Sequence, residues 1–211
     1  MTLSSTQRQD PEPPVELHLR ALENLDFIRE TISRSGVFTA VPGWGMMGMG
    51  LVATAGTYVA ALRLSQDWWI NAWIGVALIA WSLGMGAMVL KARRVAQPIW
   101  TGLGRRVLIG FSPAIVAGMV LTEVVYQLHL DALLPGIWLL LYGVGICGAG
   151  AFSVRIVPML GVAFMVASLI AFYVMGFNIT VPSPAIVGPL RAADLVLMAG
   201  FGGLHLGFGF S

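Results

Sequence analysis

The apolar positions of the chain fall into six long stretches that are separated by short polar connections. Each stretch is close to the ~20 residues that an α-helix needs to cross a hydrocarbon core of ~30 Å at a rise of about 1.5 Å per residue. The stretches cover residues 42–62, 68–90, 107–127, 133–152, 156–177 and 194–210. This pattern predicts an all-α fold, a polytopic transmembrane helix bundle with six spans.

The fourth and fifth stretches almost merge, and the residues between them decide how they are read. Only residues 152–158 offer a turn, and Arg155 is the sole charged residue between Ala132 and Leu190. A single helix of that length would not fit a bilayer. The sequence therefore predicts a tight helical hairpin at Arg155.

A different pattern precedes the first span. Residues 1–14 are polar and proline-rich, are expected to be disordered, and lack the features of a cleavable signal peptide. In residues 15–36, apolar side chains recur at three- and four-residue steps, which predicts an amphipathic helix. Its stripe consists of Leu17, Ala21, Leu25, Ile28 and Ile32. Its polar face mixes both charges and lacks the basic bias of a helix that binds anionic lipid. We therefore expect this helix to dock on a partner helix or to cap the bundle formed by residues 37–211, on the cytoplasmic side.

The composition agrees with a membrane protein. Hydrophobic residues make up 57% of the chain and charged residues 10%, and the mean hydropathy is +0.83. These values lie outside the range of soluble globular domains. The net charge of +2 is too small to indicate nucleic-acid binding. A lone cysteine, Cys147, excludes a disulfide within the chain.

The basic residues predict the orientation, because Lys and Arg are retained on the cytoplasmic side. With the N-terminus inside, the cytoplasmic positions are Arg8, Arg20, Arg29, Arg34, Lys91, Arg93, Arg94, Arg105, Arg106 and Arg155. Only Arg63 and Arg191 then fall outside. We therefore expect both termini in the cytoplasm, and the inner membrane of a bacterium as the location.

Glycine is abundant, with 26 residues, and many lie within the predicted spans. Lipid gives helices no hydrophobic reason to associate, so close backbone approach at small residues must supply the attraction. Ala199, Gly203 and Gly207 recur every four residues on the last span, and Gly145 and Gly148 lie in the fourth. These positions are predicted to be helix-packing sites.

His205 is the ionisable residue nearest the middle of the predicted membrane, roughly 16 Å along its span. At 100° per residue it lies opposite Gly203 and Gly207. Three interpretations stay open. A neutral ring could bond a backbone carbonyl or a Ser, Thr or Tyr side chain, it could belong to a proton or solute path, or it could ligate a haem or chlorophyll.

Glu123 is the second charged residue within a span, and it lies near the outer surface. It is expected to meet Arg63 or Arg191, or to extend to the interface. No set of residues has the spacing of a hydrolase, a thiol redox motif or a metal site. The sequence therefore predicts that the protein is not an enzyme and that no metal is bound.

Several segments are familiar, namely LENLDFIRETI from Leu22, FTAVPGWG from Phe38, LLPGIWLLLYGVGI from Leu133, AFSVRIVPMLG from Ala151 and GFGGLHLGFG from Gly200. With these segments the chain resembles a family of small bacterial inner-membrane proteins with about six spans and no assigned activity. The resemblance implies the topology and leaves the function open. Such proteins usually continue into a short basic tail, whereas this sequence stops at Ser211, so a truncated C-terminus is expected as one alternative.

Three classes of function remain from the sequence. The favoured one is an accessory, structural or regulatory subunit that packs against other membrane protein subunits, or against itself, in the lipid bilayer. The second is a small-solute or ion transporter, possibly dimeric, that uses Glu123 and His205. The third is a haem or chlorophyll carrier through His205.

Overall fold

A computed structural model describes residues 19–20, 22–28, 38–65, 67–95, 99–100, 102–176 and 190–210. The chain divides between Gly36 and Val37 into two units, which are described separately. In the first unit, residues 19–20 and 22–28 are helical, and Leu25 and Ile28 of the predicted apolar stripe are exposed. The rest of that stripe, and the predicted disordered tail, lie outside the described residues.

From residue 38 onward, the described residues form six helices. They are α1 (Gly43–Ala61), α2 (Trp68–Arg94), α3 (Gly102–Gln127), α4 (Leu134–Gly150), α5 (Ile156–Gly176) and α6 (Ala192–Gly209). A 3-10 turn at Asp131–Leu133 leads into α4. These helices coincide with the predicted stretches, and the largest difference is that α3 begins at Gly102 rather than at residue 107. The all-α class is confirmed.

Five of the six helices, α2 to α6, are long and apolar enough to cross a membrane. Helix α1 is also long enough, with 19 residues, but it does not belong to this set. Its glycines, Thr54, Thr57 and Trp44 dilute the aliphatic residues that would raise its hydropathy. The structure thus shows a helical bundle with five helices of membrane-spanning length and composition.

The helices pack in two groups of three. Helix α1 packs against α2 and α6, whereas α4 packs against α3 and α5. Helix α6 also contacts α4 and α5, and it thereby joins the two groups. Its Leu197 is completely buried, as is Leu139 of α4. Helices α2 and α3 follow each other in the chain, but their backbones do not pack closely, and side chains such as Trp81 and Phe111 bridge the gap between them.

The predicted hairpin at Arg155 is confirmed, since α4 ends at Gly150 and α5 begins at Ile156. The segment before α1 anchors this turn. The N–H of Phe38 donates to the carbonyl of Phe152 at 2.8 Å, and the hydroxyl of Ser153 donates to the carbonyl of Phe38 at 2.9 Å. Phe38 itself is completely buried. The turn and the lead-in to α1 therefore satisfy each other's backbone groups.

Two of the predicted packing glycines lie where α3 and α4 approach each other closely. A Cβ at Gly148 would lie 2.6 Å from the carbonyl oxygen of Gly110 on α3, and a Cβ at Gly110 would lie 2.7 Å from the oxygen of Gly148. A Cβ at Gly145 would meet the ring of Phe111 at 2.7 Å. These values leave no room for a side chain, so Gly145 and Gly148 lie at close contacts between α3 and α4.

The prediction for α6 is corrected. Ala199, Gly203 and Gly207 lie on the exposed side of this helix, and a Cβ at Gly203 or Gly207 would meet no atom within 4 Å. The close contacts of α6 within the chain are made by another set of glycines, namely Gly200, Gly202 and Gly209.

The 100° spacing placed these residues correctly, since Ala199, Gly203 and Gly207 share one exposed side of α6 and the buried His205 lies on the other. The spacing does not show which side another helix of the chain covers. Residues Met198–Leu204 form a π-helix in the middle of α6. The same segment leads directly to His205.

Candidate functional site

His205 is buried in the centre of the bundle, with 3% of its surface exposed. Its Nδ1 lies 2.8 Å from the carbonyl oxygen of Phe201, and its Nε2 lies 2.8 Å from the hydroxyl of Tyr142 on α4. Because a carbonyl only accepts, Nδ1 carries the hydrogen, and the neutral ring accepts the Tyr142 hydrogen at Nε2. This arrangement is the hydrogen-bonded alternative that the sequence left open.

The π-helical segment of α6 holds His205 in this position. The backbone N–H of His205 donates to the carbonyl of Gly202, while the carbonyl of Phe201 accepts from its ring. The side chain therefore bonds within its own helix at one nitrogen and to α4 at the other. The Tyr142–His205 hydrogen bond thus links α6, which belongs to the first group of helices, to the second group.

Aromatic rings surround the pair. The ring of Tyr142 lies 4.8 Å from Phe164, 5.2 Å from Phe201 and 5.6 Å from Phe111, in edge-to-face contacts. Such contacts add roughly 0.5–1.5 kcal/mol each beyond the burial of the rings. The atoms that surround the hydroxyl are therefore mostly carbon, and the Tyr142–His205 bond is made in a largely apolar environment.

A cavity of about 140 Å³ adjoins the pair, between the two groups of helices. Its lining is almost entirely apolar and includes two methionine pairs at i, i+3 spacing, Met46 and Met49 on α1 and Met85 and Met88 on α2. Tyr142 and His205 lie in its wall. We call this space the methionine cavity. Dry apolar cavities of about this size bind small apolar guests.

The geometry does not fit a haem or chlorophyll. Both nitrogens of His205 are hydrogen-bonded, so axial ligation would require Tyr142 to leave. The adjoining cavity is also smaller than the ~300–1,000 Å³ of ordinary ligand pockets, and a macrocycle needs more. Among the described residues, no three His, Cys, Asp or Glu side chains are grouped to hold a metal ion.

Glu123 lies on the exposed side of α3 and accepts a hydrogen bond from Gln127 at 2.8 Å. The structure therefore does not bring it together with His205, which is buried on α6 and bonded to Tyr142. Arg63, one of its two predicted partners, contacts Asp194 instead. The alternatives that Glu123 meets Arg191 or extends to the interface stay predictions.

Sequence reasoning missed Asp194 as a site. This carboxylate is completely buried at the start of α6 and accepts three hydrogen bonds. Its Oδ2 lies 2.8 Å from the Arg63 guanidinium and 2.8 Å from the Arg191 N–H, and its Oδ1 lies 2.7 Å from the Trp69 indole nitrogen. Arg63 has a backbone φ of 46°, a left-handed conformation that residues other than glycine seldom adopt. A signal was available, since Arg63 and Asp194 have opposite charges on the same predicted side.

Comparisons with family models, curated proteins and solved structures found no match. The site therefore has to be interpreted from its own geometry.

Replacing Tyr142 by phenylalanine is expected to lower the free energy of unfolding by about 1–3 kcal/mol, because Nε2 of His205 would stay buried without a donor. The ring contacts would remain. Chemical or thermal unfolding in detergent measures the loss. A 15N NMR spectrum of labelled histidine gives a second readout, since the wild type should show an Nδ1–H tautomer. An Nε2–H tautomer in the wild type would contradict the assignment.

Proposed function

We propose that this protein is an accessory or structural subunit of a bacterial inner-membrane assembly, and that it binds another transmembrane helix through the exposed face of α6. The face consists of Ala199, Gly203 and Gly207, and we call it the α6 face. In this proposal all six helices cross the membrane, both termini are cytoplasmic, and the protein has no catalytic role.

The crossing of α1 is inferred from its length and its neighbours. Its 19 residues span about 28 Å at the helical rise, close to the hydrocarbon thickness. It packs against α2 and α6, which are both apolar enough to span. A helix between two such neighbours has its own polar backbone satisfied and its small residues covered, so low hydropathy does not prevent it from crossing.

The single observation that carries the proposal is the small size of the exposed residues on α6. Bulky apolar side chains cover the exposed side of α5, namely Met159, Val162, Val166, Leu169, Ile170 and Tyr173. Between Met198 and Gly209 the exposed positions of α6 are instead Ala199, Gly203 and Gly207. A lipid acyl chain makes few van der Waals contacts with such a surface, whereas the backbone of a second helix can approach it closely.

The alternatives have less support. Transport through Glu123 and His205 would need a polar path, whereas the methionine cavity beside His205 is lined by apolar atoms and Glu123 is on the exposed side of α3. A pigment carrier would need a free ring nitrogen on His205. The geometry therefore favours binding of a helix over either of these functions.

Leucine at Gly203 is expected to remove the protein from its complex in native membranes. The substitution adds bulk where a Cβ meets nothing within 4 Å of the chain, so the fold has room for it. It also raises helix propensity by up to roughly 1 kcal/mol. The complex should therefore be lost while the protein stays folded. Native gels and mass spectrometry of membranes solubilised in mild detergent measure the size of the complex and identify its partner.

Gly75→Leu is the matched control, because Gly75 lies on α2 and also has no atom within 4 Å of a built Cβ. This variant should migrate with the wild-type complex. A wild-type protein that runs as a monomer, or a Gly203→Leu variant that retains the complex, would contradict the proposal.

A further inference from the structure

The exposed side of α2 carries a groove that meets the methionine cavity. The groove is shallow and open, because all of its residues belong to α2, namely Trp81, Ser82, Met85, Gly86, Val89, Leu90 and Arg93. Trp81 and Met85 also line the methionine cavity. The two spaces are therefore adjacent along one helix, and we call the open part the α2 groove.

Trp81, Met85, Val89 and Arg93 recur at steps of four, which places them in one row that winds about a third of a turn around α2. From Trp81 to Arg93 the row rises about 18 Å, slightly more than half of a hydrocarbon core of ~30 Å. This length matches one leaflet of a bilayer. A molecule lying in the groove would begin at the headgroup level of Arg93 and would end near the middle of the membrane.

The polar groups of the groove are concentrated at one end. The hydroxyl of Ser82 donates to the carbonyl of Leu78 within its own helix at 2.8 Å, so it is already satisfied. Arg93 is exposed, and in the part of the chain that the structure describes no carboxylate pairs with it. A ligand would therefore meet hydrocarbon along most of the groove and a single positive charge at its end.

The floor of the groove is lowest at Gly86, where a Cβ would meet nothing within 4 Å. At the other end, the ring of Trp81 stacks on Phe111 of α3 with centroids 5.6 Å apart, and this contact closes the gap between α2 and α3 at that level. The methionine cavity lies behind it. Methionine side chains are flexible and adapt to the shape of a neighbouring chain.

We propose that the α2 groove and the methionine cavity together bind one anionic phospholipid, with its phosphate at Arg93 and an acyl chain along α2. The chain would end against Met85 and the cavity. A partner helix fits less well, because a helix about 10 Å wide has no access to a cavity of about 140 Å³. The charge of Arg93 selects an anionic headgroup. This site is separate from the α6 face.

The test uses the full-length protein in mild detergent, with phosphatidylglycerol or phosphatidylcholine added and bound lipid counted by native mass spectrometry. The wild type should retain one phosphatidylglycerol in preference to phosphatidylcholine. Gly86→Phe should weaken this binding at least tenfold, because the ring would fill the floor of the groove. Gly75→Phe is the control on the same helix and should bind as the wild type does.

A second pair of variants tests the headgroup. Arg93→Gln should abolish the preference for phosphatidylglycerol while phosphatidylcholine binding is unchanged. Arg94→Gln removes the same charge from the adjacent position, which does not line the groove, and should keep the preference. Helical content by circular dichroism confirms that each variant is folded.

Three results would overturn the proposal. Wild-type lipid binding by Gly86→Phe would show that the groove is not the site. Equal effects of Arg93→Gln and Arg94→Gln would show attraction by overall charge instead of a headgroup contact. Loss of a protein subunit or of a dimer in Gly86→Phe, with lipid retained, would show that a helix occupies the groove. None of these results depends on the α6 face, which Gly203→Leu tests separately.

Discussion

Leucine at Gly148 is expected to lower the free energy of unfolding by about 3 kcal/mol or more, the largest effect of any glycine substitution considered. A Cβ there would lie 2.6 Å from the oxygen and 3.3 Å from the carbon of the Gly110 carbonyl. Both are backbone atoms, so no side chain can rotate away, and α3 and α4 must separate. Overpacking typically costs 1–3 kcal/mol when side chains can adjust, and here they cannot. Unfolding in detergent with increasing SDS measures the change.

Gly118→Leu provides the matched control on α3. The nearest atom to a Cβ at Gly118 is Cδ1 of Leu141 at 3.8 Å, which is an ordinary van der Waals contact. This variant should unfold within about 0.5 kcal/mol of the wild type, or slightly later because leucine favours the helix. An equal loss in the two variants would contradict the role of the Gly110–Gly148 crossing, because it would show that any added bulk on these helices is harmful.

The helix positions were predictable from the sequence because a helix that crosses lipid needs an apolar stretch of about 20 residues. The apolar stretches gave the positions of α4 and α5 and the hairpin at Arg155, since no other turn would let both fit the bilayer. The prediction was less complete for α1. Its small residues make it pack well and also lower its hydropathy, so the same residues that place it in the bundle weaken its membrane signal.

Small residues were predicted to pack on α4 and on α6, and within the chain only those of α4 do so. Gly145 and Gly148 lie in an uninterrupted α-helix, and their contacts agree with the prediction. Ala199, Gly203 and Gly207 share one side of α6, as their spacing predicts, but this side is exposed. Spacing shows which residues share a face and does not show whether another helix of the chain covers it.

The sequence predicted that His205 would be hydrogen-bonded, but it did not predict which residue would be its partner. A buried histidine in lipid must be hydrogen-bonded, and His205 is. The choice of Tyr142 depends on which helices are neighbours, and α4 and α6 are far apart in the chain. The same applies to Asp194, whose partner Arg63 is 131 residues away. Asp194 lies at the predicted boundary of a span, and this position in the sequence does not indicate that its carboxylate is buried.

Replacing Asp194 by asparagine is expected to cost about 2–4 kcal/mol of unfolding free energy. The carboxylate is completely buried, and 23% of the Arg63 side chain is exposed, so the substitution leaves a poorly hydrated guanidinium without its counter-charge. The Nε of Arg63 is already buried without a hydrogen-bond partner, so no second acceptor is in place. The turn between α1 and α2 would then be released from α6. Unfolding in detergent and amide hydrogen exchange in this turn measure both effects.

Asp67→Asn is the control, because Asp67 is exposed and accepts a hydrogen bond from Tyr126 at 2.7 Å. This substitution should cost less than about 1 kcal/mol, because the amide oxygen of asparagine can still accept the bond and the site is exposed. The double variant Arg63→Met with Asp194→Asn should be more stable than Asp194→Asn alone, because methionine removes the unpaired charge while it fills much of the same volume. A double variant whose loss equals the sum of the two single losses would show that Arg63 and Asp194 act independently, and the link between the α1–α2 turn and α6 would then need another cause.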